Sequence, residues 1–147
     1  MAYFPDLTPY QYTGLDKGTG IPALNIGWLT KSKPYIIGES PAEFKQKLLA
    51  FCFFEHTVYN CLGYHTCQFC ASPQAPIEVQ RGQKVAYLGN GEIRVIGVSA
   101  VYAAPTLVYH YVVAHGYKPP DEFIEAVLHG PPPDSDEHKA LIGGLVG

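Results

Sequence analysis

No stretch of this 147-residue sequence gathers its ten Lys and Arg residues into a basic face, and the formal net charge is −3. A phosphate-backbone footprint needs clustered cations, so nucleic acid is not an expected partner. No apolar run is long enough to span a bilayer, so no membrane association is expected. The start, Met1-Ala2-Tyr3-Phe4-Pro5-Asp6, has neither a basic region nor an apolar one, and on that ground the expected location is cytoplasmic. There is no internal repeat. Cysteine is sparse, with four in the chain, and in a reducing compartment these are expected as thiols, which favours metal ligation over disulfides.

What is present is an ordinary globular composition, 47% hydrophobic and 16% charged. A chain of this length buries roughly two-thirds of its unfolded surface, so a bound metal would lock a local region and need not rescue the whole fold. Its most informative stretch is Gly63-Tyr64-His65-Thr66-Cys67-Gln68-Phe69-Cys70. A Cys-x-x-Cys pair forms a knuckle that aims two thiolates at one ion. His65 faces the same side if the lead-in is extended, because side chains alternate along a strand. A closed tetrahedral site needs a fourth ligand, and His110 and His115 are the candidates. Five positions correspond to about 140° around a helix, which argues against one ion taking both. His115 falls on the apolar face with Leu107, Val108, Tyr111 and Val112, and so is preferred to His110. The expected metal set is therefore His65, Cys67, Cys70 and His115, with His110 as the alternative. Mixed sulfur and imidazole ligation suits Zn2+, with iron the main competitor. Cys61 is a reserve ligand at best, and Cys52 reads as a buried apolar residue.

The letters around the pair disfavour its catalytic relatives. Attached haem wants His directly after the second Cys, where this chain has Ala71. A thioredoxin-like pair opens a helix, which Pro73 and Pro76 deny. A nucleobase deaminase would show His-x-Glu and Pro-Cys-x-x-Cys, and Thr66 precedes this pair. His-Glu-x-x-His is absent. An enzyme would instead need an open metal site with Glu92, His110 or His115 as base. The other route is a Cys67 nucleophile served by one of those histidines.

Residues 1–37, rich in Tyr, Pro and Gly, read as extended segments with a short strand in 23–29. Ser40-Pro41-Ala42-Glu43 predicts a capped helix with Phe44, Leu48 and Phe51 inward. Strands are expected over 77–80, 84–88, 92–98 and 101–103, as an antiparallel meander. On the third of these, Glu92 and Arg94 share a face and read as a surface ion pair. A second helix is expected from Pro105 to His115, stopped by Gly116, and a third from Asp121 to Leu128. The fold class is thus α+β: a small antiparallel meander, about three helices and a zinc-stabilised knuckle. Residues 1–129 form the single domain. Residues 130–147 form a Pro-rich linker and an apolar C-terminal tail, whose Gly143 and Gly144 make a helix unfavourable.

Several motifs together also resemble a family. They are Asp6-Leu7-Thr8-Pro9-Tyr10-x-Tyr12, Asn25-x-Gly27-Trp28-Leu29, His65-x-Cys67-x-Phe69-Cys70, Glu92-Ile93-Arg94-Val95 and Tyr102-Ala103-Ala104-Pro105. Leu107-Val108-Tyr109-His110-Tyr111-Val112 and His115-Gly116-Tyr117-Lys118-Pro119-Pro120-x-Glu122-Phe123 complete the set. The chain resembles a family of small uncharacterised bacterial proteins that carry a domain-of-unknown-function label. The resemblance covers residues 1 to about 128 and implies no activity. The functional expectation is a non-catalytic zinc-binding interaction or structural protein, whose associate is a protein partner or a second copy of itself. The alternatives are a metal-dependent hydrolase with an open zinc site, or self-assembly through the aromatic N-terminal segment and the tail 140–146.

Overall fold

The computed structural model describes residues 2–10 and 23–146; Tyr12, part of the aromatic motif above, lies outside them. Strand β1 (Ala23–Asn25) is followed by helix α1 (Ala42–Phe51) and a single 3-10 turn at Phe54–His56. Strands β2 (Ile77–Arg81), β3 (Lys84–Leu88), β4 (Glu92–Ile96) and β5 (Val101–Pro105) come next. Helices α2 (Leu107–His115), α3 (Asp121–His129) and α4 (Asp136–Val146) complete the chain. The class is α+β. No helix among the described residues is long and apolar enough to cross a membrane.

The sheet differs from the expected meander. β2 and β3 form a separate hairpin, while β1, β5 and β4 make a three-stranded sheet with β1 parallel to β5. Backbone hydrogen bonding explains why β3 and β4 do not pair. The connecting Gly89-Asn90-Gly91 is claimed by other segments: Gly89 O accepts from His65 N, Asn90 O from Cys61 N and Gly91 O from Thr106 N. Gly89 N in turn donates to Thr106 Oγ1 at 2.9 Å. A turn whose polar groups are used in this way cannot also close a β3–β4 ladder.

The alternation along β4 and β5 divides the core. Ile93, Val95, Tyr102 and Ala104 point to one face and join Phe44, Leu48, Leu107, Tyr111 and Phe123 from the helices. There α1 meets α3 through an edge-on contact of Phe44 with Phe123, ring centroids 6.1 Å apart. The opposite face carries Ala103 against Trp28 and Tyr10, and Val101 against Ile142 of α4. Trp28 also donates its indole N–H to Ala103 O at 3.0 Å.

On that second face Glu92 and Arg94 are a buried pair, not a surface one. Their side chains are 8% and 0% exposed and meet at 3.0 Å. Tyr10 OH donates to the same Glu92 oxygen at 2.7 Å, and the Arg94 guanidinium lies 4.5 Å from the Tyr10 ring centroid. Period-2 patterning assigns these residues to the face away from the main core. It does not foresee that residues more than 80 positions upstream cover that face.

The helix ends carry smaller corrections. Pro41, not Ser40, occupies the cap of α1 and makes no side-chain cap bond. Pro105 ends β5 and does not open α2. Gly116 stops α2 as expected, with φ +67°. The tail is helical where glycines argued otherwise. Ser135 Oγ accepts from His138 N at 3.2 Å, and Asp136 and Glu137 occupy the first turn, where acids suit the positive helix end. His138 and Ile142, one turn apart, are buried against the body. His138 Nε2 sits 2.9 Å from Arg94 O, so the neutral ring donates to that carbonyl.

Two predictions follow from the buried face. Arg94→Met leaves the Glu92 charge without its guanidinium and should lower unfolding free energy by about 3–5 kcal/mol in denaturant titration. A change under about 1 kcal/mol would contradict the burial. Burial lowers the His138 pKa from its ordinary 6.5, ahead of the opposing hydrogen bond to Arg94 O. The docked tail thus prefers the neutral ring, and its docking is fully present above pH 6.5 and weakens as pH falls toward the depressed value. Amide exchange in α4, corrected for intrinsic rates and compared with β5, should rise between pH 7.5 and 5.5, in a range roughly one unit either side of that ordinary value. His138→Gln should remove the dependence; equal profiles for the two proteins would refute it.

Candidate metal centre

Residues 57–76 form no helix or strand beyond a single bridge from Val58 to Glu92. The knuckle Cys67–Cys70 within them is held from several sides. Gln68 Oε1 accepts from Lys31 N at 2.8 Å and from Thr30 Oγ1 at 3.2 Å, tying it to the chain just after Leu29. Phe69 inserts edge-on against Tyr35 and Tyr111, with centroids 5.2 and 5.7 Å away. It also packs on the His115 ring at 5.7 Å. Tyr35 OH donates to His115 O at 3.0 Å, fixing the end of α2 from the same side.

The position of α2 is set by close approach. Gly27 has φ +74°, and a Cβ there would meet Val108 Cγ2 at 2.7 Å, so only glycine lets this backbone touch the helix. Asp6 locks the contact, accepting from Gly27 N at 2.9 Å through one oxygen and from Tyr117 OH at 2.7 Å through the other.

With both parts in place, four donors converge. Cys67, Cys70, His110 and His115 each offer one ligand atom, and these atoms all lie within 4.8 Å of one another. Cys70 Sγ is 3.2 Å from His110 Nε2 and 3.5 Å from His115 Nε2, and Cys67 Sγ is 3.4 Å from His115 Nε2. In a tetrahedron with metal–sulfur bonds of ~2.3 Å and metal–nitrogen bonds of ~2.05 Å, sulfur and nitrogen are about 3.5 Å apart. The observed separations fit that edge, and the four residues lie close enough to bind a metal ion.

The surroundings set the protonation preferences. Burial pushes the Cys67 thiol up, against the Phe69 N–H that favours its thiolate. A thiolate in that place needs a cation beside it. Burial, then the neighbouring His115, lowers the His110 pKa and so favours the neutral imidazole that ligation requires.

The group of converging donors differs from the expected ligand set at two positions. His65 lies outside the group; it is exposed, its N–H bonds Gly89 O at 2.8 Å, and its side chain lines a small cleft with Trp28 and Glu92. Residues 64–67 form no strand, so the alternation that would align His65 with Cys67 does not hold. The second change is that both helix histidines reach the knuckle. Their Cβ atoms diverge around the wheel, but the imidazoles fold toward each other, with ring centroids 5.0 Å apart. The knuckle occupies the sector between them. Cys61 is exposed and outside the group, and Cys52 is buried, its pKa pushed up to about 12 by that burial against the opposing pull of Arg81.

Sequence reasoning missed Phe69, Gln68 and Tyr35 as supports of this centre. The only signal was an aromatic and an amide inside the Cys-x-x-Cys pair, which local pattern cannot connect to partners 34 to 46 positions away.

No match was found among curated proteins or among solved structures. The sequence model of one family matches residues 2–128, which include every residue of the four-donor group and stop before the segment leading to α4. The chain belongs to the family described as Domain of unknown function (DUF7919).

Proposed function

We propose that this is a non-catalytic zinc-binding protein, in which one Zn2+ held by Cys67, Cys70, His110 and His115 fastens the knuckle to α2 and so shapes a surface for a protein partner. The observation that carries the reading is the set of sulfur–nitrogen separations of 3.2 to 3.5 Å among four donors. Two thiolates and two imidazoles are a closed structural set for zinc, with no position left for water. The same donors suit iron less well outside clusters or redox sites. A structural role also fits the location, since residues 57–76 have little regular hydrogen bonding to hold them. Ion binding there would be worth about 10 kcal/mol or more at neutral pH, shared with local folding. The hydrolase alternative requires one donor to stay off the ion. Self-assembly through the tail has less to work with, because Ile142 is already buried on the body.

Elemental analysis of protein purified without added metal should find close to one zinc per chain. His65→Ala should keep it, whereas Cys70→Ser, His110→Ala and His115→Ala should each reduce it below about half an equivalent. Zinc below about a tenth of an equivalent, or loss on His65→Ala with retention on His110→Ala, would overturn the assignment. Thiol labelling gives an independent reading. With metal bound, only exposed Cys61 should react promptly. A chelator should add Cys67 and Cys70, while buried Cys52 stays inert.

A further inference from the structure

α1, the β2–β3 hairpin and the segment after α3 border a cleft of about 270 Å³ that none of the four donors lines. Its apolar surface includes Phe51, Phe53 and Val127, and Pro133 contributes from beyond the residues that the family match covers. An apolar cavity of ~150 Å³ is enough for benzene, so this one has room for a ring and a small polar group.

The polar lining is mainly basic, with Lys47, Arg81 and Lys84 beside His56, against the single carboxylate of Asp134. Both lysines are already engaged, Lys47 with Glu43 at 3.3 Å and Lys84 with Glu55 at 2.8 Å. Arg81 differs. Among the described residues no carboxylate pairs with it, and its one hydrogen bond is from Nη2 to the carbonyl of Gln46. A guanidinium carries five N–H donors in a planar fork, so a second edge remains for bidentate contact with a carboxylate. Both hairpin cations also lie over one aromatic ring, Lys84 Nζ 4.5 Å and the Arg81 guanidinium 5.9 Å from the Phe53 centroid. Anion-binding groups therefore border the apolar floor directly. The charge balance, with two lysines shared and Asp134 present, suits one negative charge better than two.

We propose that this cleft binds a small monocarboxylate with a flat apolar body, its carboxylate on Arg81 and its body on Phe51, Phe53 and Pro133. The site is independent of the proposed zinc and involves none of its ligands.

Phenylacetate is a suitable probe, titrated into the full chain as purified and followed by amide NMR shifts. Saturable shifts are expected at Phe53, Arg81, Lys84 and Asp134. Neutral phenylacetamide and inorganic phosphate should each bind at least about tenfold more weakly, and Arg81→Gln should lose a similar factor. Arg81 sits at the exposed end of a hairpin, so the variant should otherwise keep its spectrum. Lys84→Gln, which leaves the Arg81 fork in place, should lose less than Arg81→Gln. The proposal is overturned by no saturable shift up to about 20 mM phenylacetate, a concentration that would detect even millimolar affinity. Equal binding of phenylacetamide, phosphate binding as tight as phenylacetate, or undiminished binding by Arg81→Gln would each overturn it as well.

Discussion

Two sulfurs of an irregular loop and two imidazole nitrogens of α2 meet at 3.2 to 3.5 Å, and much of the surrounding architecture serves to hold them there. Without a cation these groups have little reason to converge. A buried thiol prefers its proton, and burial and then the neighbouring His115 disfavour charge on His110. Around the four donors lie supports from distant parts of the chain: Gln68 on Thr30 Oγ1 and Lys31 N, Phe69 between Tyr35 and Tyr111, and Asp6 bracing Gly27 and Tyr117. Asp6 and residues 27–35, which read from the sequence as extended segments, are thus part of the frame that places the donors.

The same economy of backbone groups links this centre to the sheet. Gly89-Asn90-Gly91 gives its carbonyls to His65, Cys61 and Thr106, so the loop carrying the knuckle is stitched to the start of α2. That stitching separates β3 from β4 and turns an expected meander into a hairpin beside a mixed sheet. The opposite face of that sheet is closed by Tyr10, by Trp28 and by α4 over a buried Glu92–Arg94 pair. Buried ion pairs are costly to assemble and more costly to break singly, so this face resists partial loosening.

The elements most legible in the sequence are those whose signals are local. Phe44, Leu48 and Phe51 at helical spacing, Gly116 as a left-handed stop, and the alternation of Ile93 and Val95 all depend on neighbours within a few residues. Cys67 and Cys70 belong to the same class, because a four-residue knuckle presents its own chemistry. Composition and motif together were enough to indicate an α+β chain and to single out two cysteines of a Cys/His group close enough to bind a metal ion.

Tertiary structure decided the rest. Whether His65 or a helix histidine completes the group depended on the path of residues 64–67, which is set by the bond from His65 N to Gly89 O. Whether both His110 and His115 could join depended on where the knuckle lies relative to α2, which helical angles alone do not contain. The parallel pairing of β1 with β5, the burial of Arg94 and the docking of α4 through His138 and Ile142 likewise rest on contacts between distant segments. The physical reason is common to all of them: a residue's periodicity states which neighbours share its face, and only the packed chain states what covers that face.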